Sequence, residues 1–208
     1  MIRPLFRESP AMGWDATLAL MAYGCVASVT PGPNNMMLLA SGVNFGFLRT
    51  IPHLLGIAFG FLSLLLGVGF GLGALLKAYP ELQWGLKIAG AGYTLFLAWK
   101  TFRARSLDTG RERARPMRFF EAAAFQWVNP KAWVLAVTAM ALYALPESPI
   151  ESVLWITATF TLVNLPSVAC WAGCGAALRG FLSDPTRLKW FNITMGVLLA
   201  ATLWPLLK

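Results

Sequence analysis

From His53 to Leu76 the chain carries no Asp, Glu, Lys or Arg. A helix needs about 20 mainly apolar residues to cross the hydrocarbon of a bilayer, and this run is long enough to do so. Five more segments are of the same kind: Asp15–Ser41, Trp84–Phe102, Phe119–Leu145, Val153–Ala177 and Trp190–Leu207. Open strands cannot cross lipid, because each unpaired backbone group there costs several kcal/mol. Barrel strands alternate over short segments, whereas these runs are continuous. The expected fold is therefore an all-α integral membrane protein with six transmembrane helices. Composition agrees. The 208 residues are 57% hydrophobic and 12% charged, where a soluble domain is about 25% charged. Nine Trp and 14 Phe suit interfacial aromatic belts.

The net charge of +8 would raise nucleic acid as a partner in a soluble protein. Here the bases fall between apolar spans, so they speak for topology and for a lipid bilayer, not for nucleic acid. The connection after the third span holds Arg103, Arg105, Arg111, Arg113, Arg115 and Arg118, the one after the fifth holds Arg179, Arg187 and Lys189, and the one after the first holds Arg49. The opposite connections hold Lys77 and Glu81, then Glu147 and Glu151. Arginine-rich short loops stay in the cytoplasm, which turns both termini outward. Arg3 and Arg7 argue against that orientation, and a re-entrant first segment would give five crossings and flip the N-terminus. A cleaved signal peptide is disfavoured because apolar character resumes directly after Asn35. Met12 is a candidate start, since Met1–Ala11 adds nothing to a span.

The first span is broken within itself. Ser28–Leu38 reads SVTPGPNNMML, and the fourth span carries Asn129-Pro130-Lys131. Each break lies in the first span of its half, with repeat one at 13–102, an arginine-rich loop at 103–118 and repeat two at 119–208. Three spans per half is an odd number, so the second half must be inverted relative to the first. Interrupted helices at matching places in two inverted halves point to a transporter site near the midplane.

Pro31 and Pro33 lack an N–H and restrict the residues before them. The upstream half-helix should end near Val29–Thr30, Gly32 should turn, and Pro33 should open the next half-helix. Asn34, Asn35 and Met36 would then offer free N–H groups, favourable to an anion. Carbonyls upstream, near Thr30, would suit an ammonium. A zwitterion matches both ends.

Lys131 lies mid-span, where insertion scales charge about 2.5–3.5 kcal/mol for a lysine. Every acid of the chain stands at a span end or in a loop. Lys131 must therefore bond to carbonyls of a broken helix, be neutral, or meet a carboxylate brought by a substrate. Gln126, one turn before the second break, is expected to face the same cavity. Asn164 and Pro166 are expected to break the fifth span and line it too, with plain packing as the alternative. The glycines at 56, 60, 67, 71, 85, 90 and 92 read as helix-packing positions. His53, the one histidine, stands at a span start and reads as interfacial, with a proton role as the alternative. Cys25, Cys170 and Cys174 read as small packing residues: no disulfide framework, no metal set and no cofactor motif is present.

TPGPNN (Thr30–Asn35), AGAGYTLFLAWK (Ala89–Lys100) and FQWVNPKAW (Phe125–Trp133) resemble the LysE/RhtB family of amino-acid exporters. GIAFGF at Gly56–Phe61 and NLPSVACWAGCGAALR at Asn164–Arg179 most resemble its cysteine/O-acetylserine branch. The resemblance implies a carrier of the bacterial inner membrane, not an enzyme, exporting small amino acids or derivatives of the cysteine, O-acetylserine, threonine/homoserine or leucine type at the expense of the proton gradient. Asn34 and Phe61 stand where many members carry acidic or polar groups, and Gln126 where many carry Asn. Missing carboxylates argue against a dibasic substrate and leave the proton without a carboxylate carrier. The substrate-binding set expected here is Thr30, Pro31, Gly32, Pro33, Asn34, Asn35, Gln126, Asn129, Pro130, Lys131 and Asn164. An inorganic-ion transporter and a non-transporting scaffold are the rival classes. A homodimer would suit the glycine-striped spans.

Overall fold

The computed structural model describes residues 13–104 and 115–204. Among them every regular element is helical: α1 (Trp14–Val29), α2 (Pro33–Phe45), α3 (Phe47–Gly67), a π-helical stretch (Val68–Leu72), α4 (Gly73–Ala78), α5 (Pro80–Arg103), α6 (Phe119–Val128), α7 (Pro130–Tyr143), α8 (Pro149–Leu178), one 3₁₀ turn (Phe181–Ser183) and α9 (Pro185–Ala201). The pattern follows from proline chemistry. Helices α2, α7, α8 and α9 begin on Pro33, Pro130, Pro149 and Pro185, at the first helical position, where the missing N–H breaks no bond. Asn129 and Asp184 cap the two helices that follow them: Asn129 Oδ1 accepts from the Lys131 N–H at 3.1 Å, and Asp184 Oδ1 from the Thr186 and Arg187 N–H groups at 3.0 and 2.9 Å. Gly46 joins α2 to α3 at φ 81°, the left-handed region glycine favours.

Phe47–Leu75 and Pro149–Leu178 are each long and apolar enough to cross a membrane, and Trp14–Val29 is apolar but shorter. The first and fourth candidate spans are realised as two half-helices each, α1/α2 and α6/α7, so neither half meets a length test alone. The fifth differs from its expectation. Helix α8 runs unbroken through Asn164 and Pro166. A single internal proline frees one carbonyl, which neighbouring helices and local adjustment tolerate within a membrane bundle. The chain instead departs from helical geometry in the second span, where Phe70 and Gly71 (φ 109°) interrupt it.

Of the four apolar clusters among the described residues, two are the largest. Leu20 of α1, Phe61, Leu64 and Leu65 of α3, Ala136 and Ala139 of α7 and Ile156 and Phe160 of α8 form one apolar cluster. Met36, Met37 and Ala40 of α2, Leu97 and Ala98 of α5, Phe125 of α6, and Met195 and Leu199 of α9 form another. Helix α8 packs on α1 around its middle, at Phe160 and Val163, and on α2 nearer its end. The second contact is backbone to backbone: a Cβ on Gly42 would overlap the Ala172 carbonyl oxygen, and one on Gly175 the Leu39 carbonyl oxygen.

The glycines expected to pack divide. Gly56 and Gly60 press on α6 at Phe119 and Ala123, Gly67 lies by Trp127, and Gly90 lies against the Val128 carbonyl. Gly71, Gly85 and Gly92 meet nothing within 4 Å; a surface toward lipid needs no small residue. The three cysteines correct their expectation likewise, being free and exposed on the outside of the bundle instead of packed within it. That outside is apolar. Leu162 is 74% exposed and Ile88 68%, and exposed tryptophans stand near helix ends, Trp14, Trp84 and Trp204 at one end of the bundle and Trp99 and Trp190 at the other. Arg3, Arg7, Met12, Arg105, Arg111 and Arg113 lie outside the described residues.

Candidate functional site

The two helix breaks meet. Lys131, in the first turn of α7, extends its ammonium to the Thr30 carbonyl at 2.6 Å. Gly32 permits this approach. A Cβ there would lie 2.8 Å from Lys131 Cδ and 3.0 Å from Nζ; the Gly32 backbone itself is extended (φ −169°) and any residue could adopt it. Of the three fates open to Lys131, the bond to a broken-helix carbonyl is the one realised. Among the described residues it has no carboxylate partner.

Several of the backbone groups released by the breaks find partners, as a low-dielectric surrounding favours. At the end of α1, the Val26 carbonyl accepts from the Thr30 N–H at 3.0 Å and from the Thr30 hydroxyl at 2.5 Å. Asn35 Nδ2 donates to the Ser28 carbonyl at 2.7 Å and to the Thr30 carbonyl at 3.0 Å. At the end of α6, the Trp127 carbonyl accepts from the Trp133 indole at 2.7 Å. At the start of α7, the Trp133 N–H reaches the Asn129 carbonyl at 3.2 Å. The Met36 N–H, expected free, donates to the Gly32 carbonyl at 3.0 Å, because Gly32 is already the cap of α2. The N–H groups of Asn34 and Asn35 have no hydrogen-bond partner among the described residues.

Asn34 and Gln126 form a reciprocal amide pair. Asn34 Nδ2 donates to Gln126 Oε1 at 2.7 Å, and Gln126 Nε2 donates back to Asn34 Oδ1 at 3.1 Å and to the Ala122 carbonyl at 3.0 Å. Gln126 is fully buried. It stands behind Asn34 and does not itself line the cavity, a correction to its expected place. Asn164 Nδ2 donates to Ser28 Oγ at 3.0 Å, which ties α8 to the end of α1 without a break in α8.

Between the breaks lies a cavity of about 30 Å³, lined by Gly32, Pro33, Asn34, Asn35, Asn129, Lys131 and Asn164 with Ser28, Ile57, Phe61 and Leu135 among the rest. That is room for about a water or two. A larger cavity of about 860 Å³ adjoins it from the side away from the arginine-rich loops. Thr30, Pro31, Gly32, Pro33, Pro130 and Lys131 form its floor, and Lys87, Trp133, Thr138 and Trp204 stand in its walls. It falls within the size range of small-molecule sites, about 300–1,000 Å³. All the expected site residues thus gather at one junction, Gln126 in the second rank and Pro166 outside it.

Sequence reasoning missed Ser28 and Trp133. Ser28 serves twice, by carbonyl and by hydroxyl, and its signal was its place one turn before the first proline. Trp133 supplies the donor that replaces a helix bond at the second break. An indole N–H a few residues past Asn-Pro was the available sign.

The LysE type translocator family model matches residues 25–202. Cysteine/O-acetylserine efflux proteins of Escherichia coli (strain K12) and Shigella sonnei (strain Ss046) are 31% identical over 187 residues, 87% of this chain and 92% of theirs. The protein of that name from Escherichia coli O6:K15:H31 (strain 536 / UPEC) is 30% identical over the same extent. No solved structure matches. The resemblance read from TPGPNN and NPKAW is thereby borne out, and the chain belongs to the LysE type translocator family.

Proposed function

We propose that this chain is a multi-pass carrier of the bacterial inner membrane that exports small zwitterionic amino acids or derivatives of the cysteine/O-acetylserine kind by alternating access. Six spans would form two inverted three-span halves, with the arginine-rich connections in the cytoplasm. The relatives named as cysteine/O-acetylserine efflux proteins support the substrate class. The observation that carries the mechanism is the bond from Lys131 to the Thr30 carbonyl, which fastens one broken helix to the other.

A zwitterion is the ligand whose charges can replace that bond end for end. Its carboxylate takes the Lys131 ammonium, and its ammonium takes the Thr30 carbonyl. Lysine has three donors, so the unpaired N–H groups of Asn34 and Asn35 can share the carboxylate with it. No charge is then left bare in a site without acids. Insertion separates the two breaks, and the two halves are freed to move relative to each other. A cation lacking a carboxylate would offer Lys131 only repulsion, which disfavours the inorganic-ion reading.

The large cavity reaches Lys131 and Thr30 from the side opposite the arginine-rich loops. On the other side, Met36, Met37, Leu97 and Phe125 pack beneath the site. On this reading the arrangement would be an outward-facing state. The test is exchange of labelled O-acetylserine, cysteine, threonine and leucine by purified protein in liposomes. Lys131→Ala is expected to lose transport at least about 100-fold while still inserting. Undiminished exchange by that variant would remove Lys131 from the mechanism.

A further inference from the structure

His53 is the chain's one histidine, and its surroundings differ from those of an interfacial residue. Helix α3 begins at Phe47, more than a turn earlier than the span read from hydropathy, so His53 lies inside the bundle and is 2% exposed. Neither ring nitrogen has a hydrogen-bond partner among the described residues. The ring borders a second cavity of about 430 Å³, on the arginine-rich side of the site. Ser41 and Asn44 of α2 line it, with Lys100 and Arg103 from the end of α5, and Arg115.

Arg115 is tied to Glu121 of α6 by two bonds of 2.6 and 2.9 Å. Glu121 also accepts from the Arg118 N–H at 2.9 Å. Helix α3 itself brings Arg49, set over the Phe45 ring. Helix α8 presents Val168 and Ala172 to this region, and Arg179, just past its end, reaches the α2–α3 junction at Gly46. Helix α2 offers only hydroxyl and amide, with Ser41 Oγ and Thr50 Oγ1 sharing a bond of 3.0 Å.

Imidazole is the side chain that takes and gives up a proton near neutral pH without special tuning. Lys131 is held by the Thr30 carbonyl and Glu121 by Arg115, while Lys100 and Arg103 are cations at the cavity's edge that do not exchange a proton near neutral pH. On the export reading above, we propose that His53 is the proton-binding residue of the transport cycle, discharging through the 430 Å³ cavity to the arginine-rich side. The proton binds a ring-nitrogen lone pair to give the imidazolium and leaves to water in the cavity; no other bond is made or broken. One zwitterion moving out against one proton moving in carries one positive charge inward per cycle. The Met36, Met37 and Phe125 layer separates this cavity from the Lys131 site, so rearrangement of that layer is what links the two bound species.

The experiment uses the full chain with a tag free of histidine, reconstituted in liposomes, with O-acetylserine as probe. His53→Gln is expected to keep equal-concentration exchange within about twofold and to lose accumulation driven by a pH gradient by more than about tenfold. Gradient-driven accumulation that survives in His53→Gln overturns the proposal. A second measurement needs no variant. Because there is one histidine, the imidazole ¹⁵N signals of the wild-type protein are assigned at once; acidification should convert them to the imidazolium pattern, and O-acetylserine should shift that change. Signals that stay those of neutral imidazole down to the lowest pH at which the protein remains folded, with and without O-acetylserine, overturn the proposal even if His53→Gln does not fold. A wild-type protein that exchanges no amino acid sinks the export reading itself, whereas normal exchange with an unaltered gradient response in the variant sinks the proton assignment alone.

Discussion

The ammonium of Lys131 and the carbonyl of Thr30 lie 2.6 Å apart and 101 positions apart in sequence. One belongs to a helix start and the other to a helix end, and both exist only because proline interrupts the helices around them. The acceptor is backbone, so the contact survives any change of side chain at position 30. Thr30→Ala is expected to transport within about threefold of wild type, since only a hydroxyl bond to the Val26 carbonyl is removed. Measured exchange in liposomes, set beside Lys131→Ala, separates the two contributions.

Asn35 has the opposite character. Its side-chain N–H₂ donates to two carbonyls at the end of α1, and a carboxylate cannot donate when ionised. Asn35→Asp is expected to lower transport more than about tenfold and to lower thermal stability in detergent, while Asn35→Ala costs about 1–3 kcal/mol through the carbonyls left unpaired. An Asn35→Asp protein as stable and active as wild type would contradict the role of Asn35 as donor to the carbonyls at the end of α1.

The Asn34–Gln126 pair is suited to a double-mutant cycle. Each amide both gives and receives: Asn34→Ala leaves the buried Gln126 carbonyl without its donor at about 1–3 kcal/mol, Gln126→Ala leaves the half-buried Asn34 without its partner at less cost, and the double variant should cost less than the sum. A coupling energy of about 1 kcal/mol or more, read from thermal or denaturant unfolding in detergent, is the expected result; strict additivity would place the two amides in separate environments.

The glycines provide a contrast within one protein. Gly42→Ala drives a methyl into backbone of α8 that cannot move aside, and about 1–3 kcal/mol of destabilisation is expected. Gly85→Ala and Gly92→Ala meet open space on a helix and should be neutral, or stabilising by up to about 1 kcal/mol. Melting temperatures of the three variants in one detergent check both statements together.

The helix breaks were legible because proline acts locally: Pro31, Pro33 and Pro130 terminate or start helices whatever surrounds them. The bond from Lys131 to the Thr30 carbonyl was among the options for the same reason, since an unpaired lysine and an unpaired helix end have few other partners. Burial was less legible. Hydropathy does not distinguish a residue facing lipid from one facing another helix, because both surroundings are apolar; Cys170, Gly85 and Gly92 were misjudged on that account. Pro166 was overweighted because a lone proline removes one hydrogen bond, while the breaks at Pro31–Pro33 and Asn129–Pro130 combine proline with glycine or asparagine. His53 was placed at the surface because its environment comes from α2, α5 and Arg115, distant in the chain and invisible to any local pattern.

Helix α8 touches both pieces of the first broken span, and its grip on α2 is made of main chain on both sides. A shaft clamped in this way at two levels is a poor place for an elbow. Compliance has to sit elsewhere, and the second span supplies it: at Phe70 and Gly71 the helical ladder is already interrupted, with Gly71 free of neighbours. Bending there sacrifices less α-helical hydrogen bonding than anywhere else along the span, so a carrier working as proposed above would pivot its outer end at the π-turn.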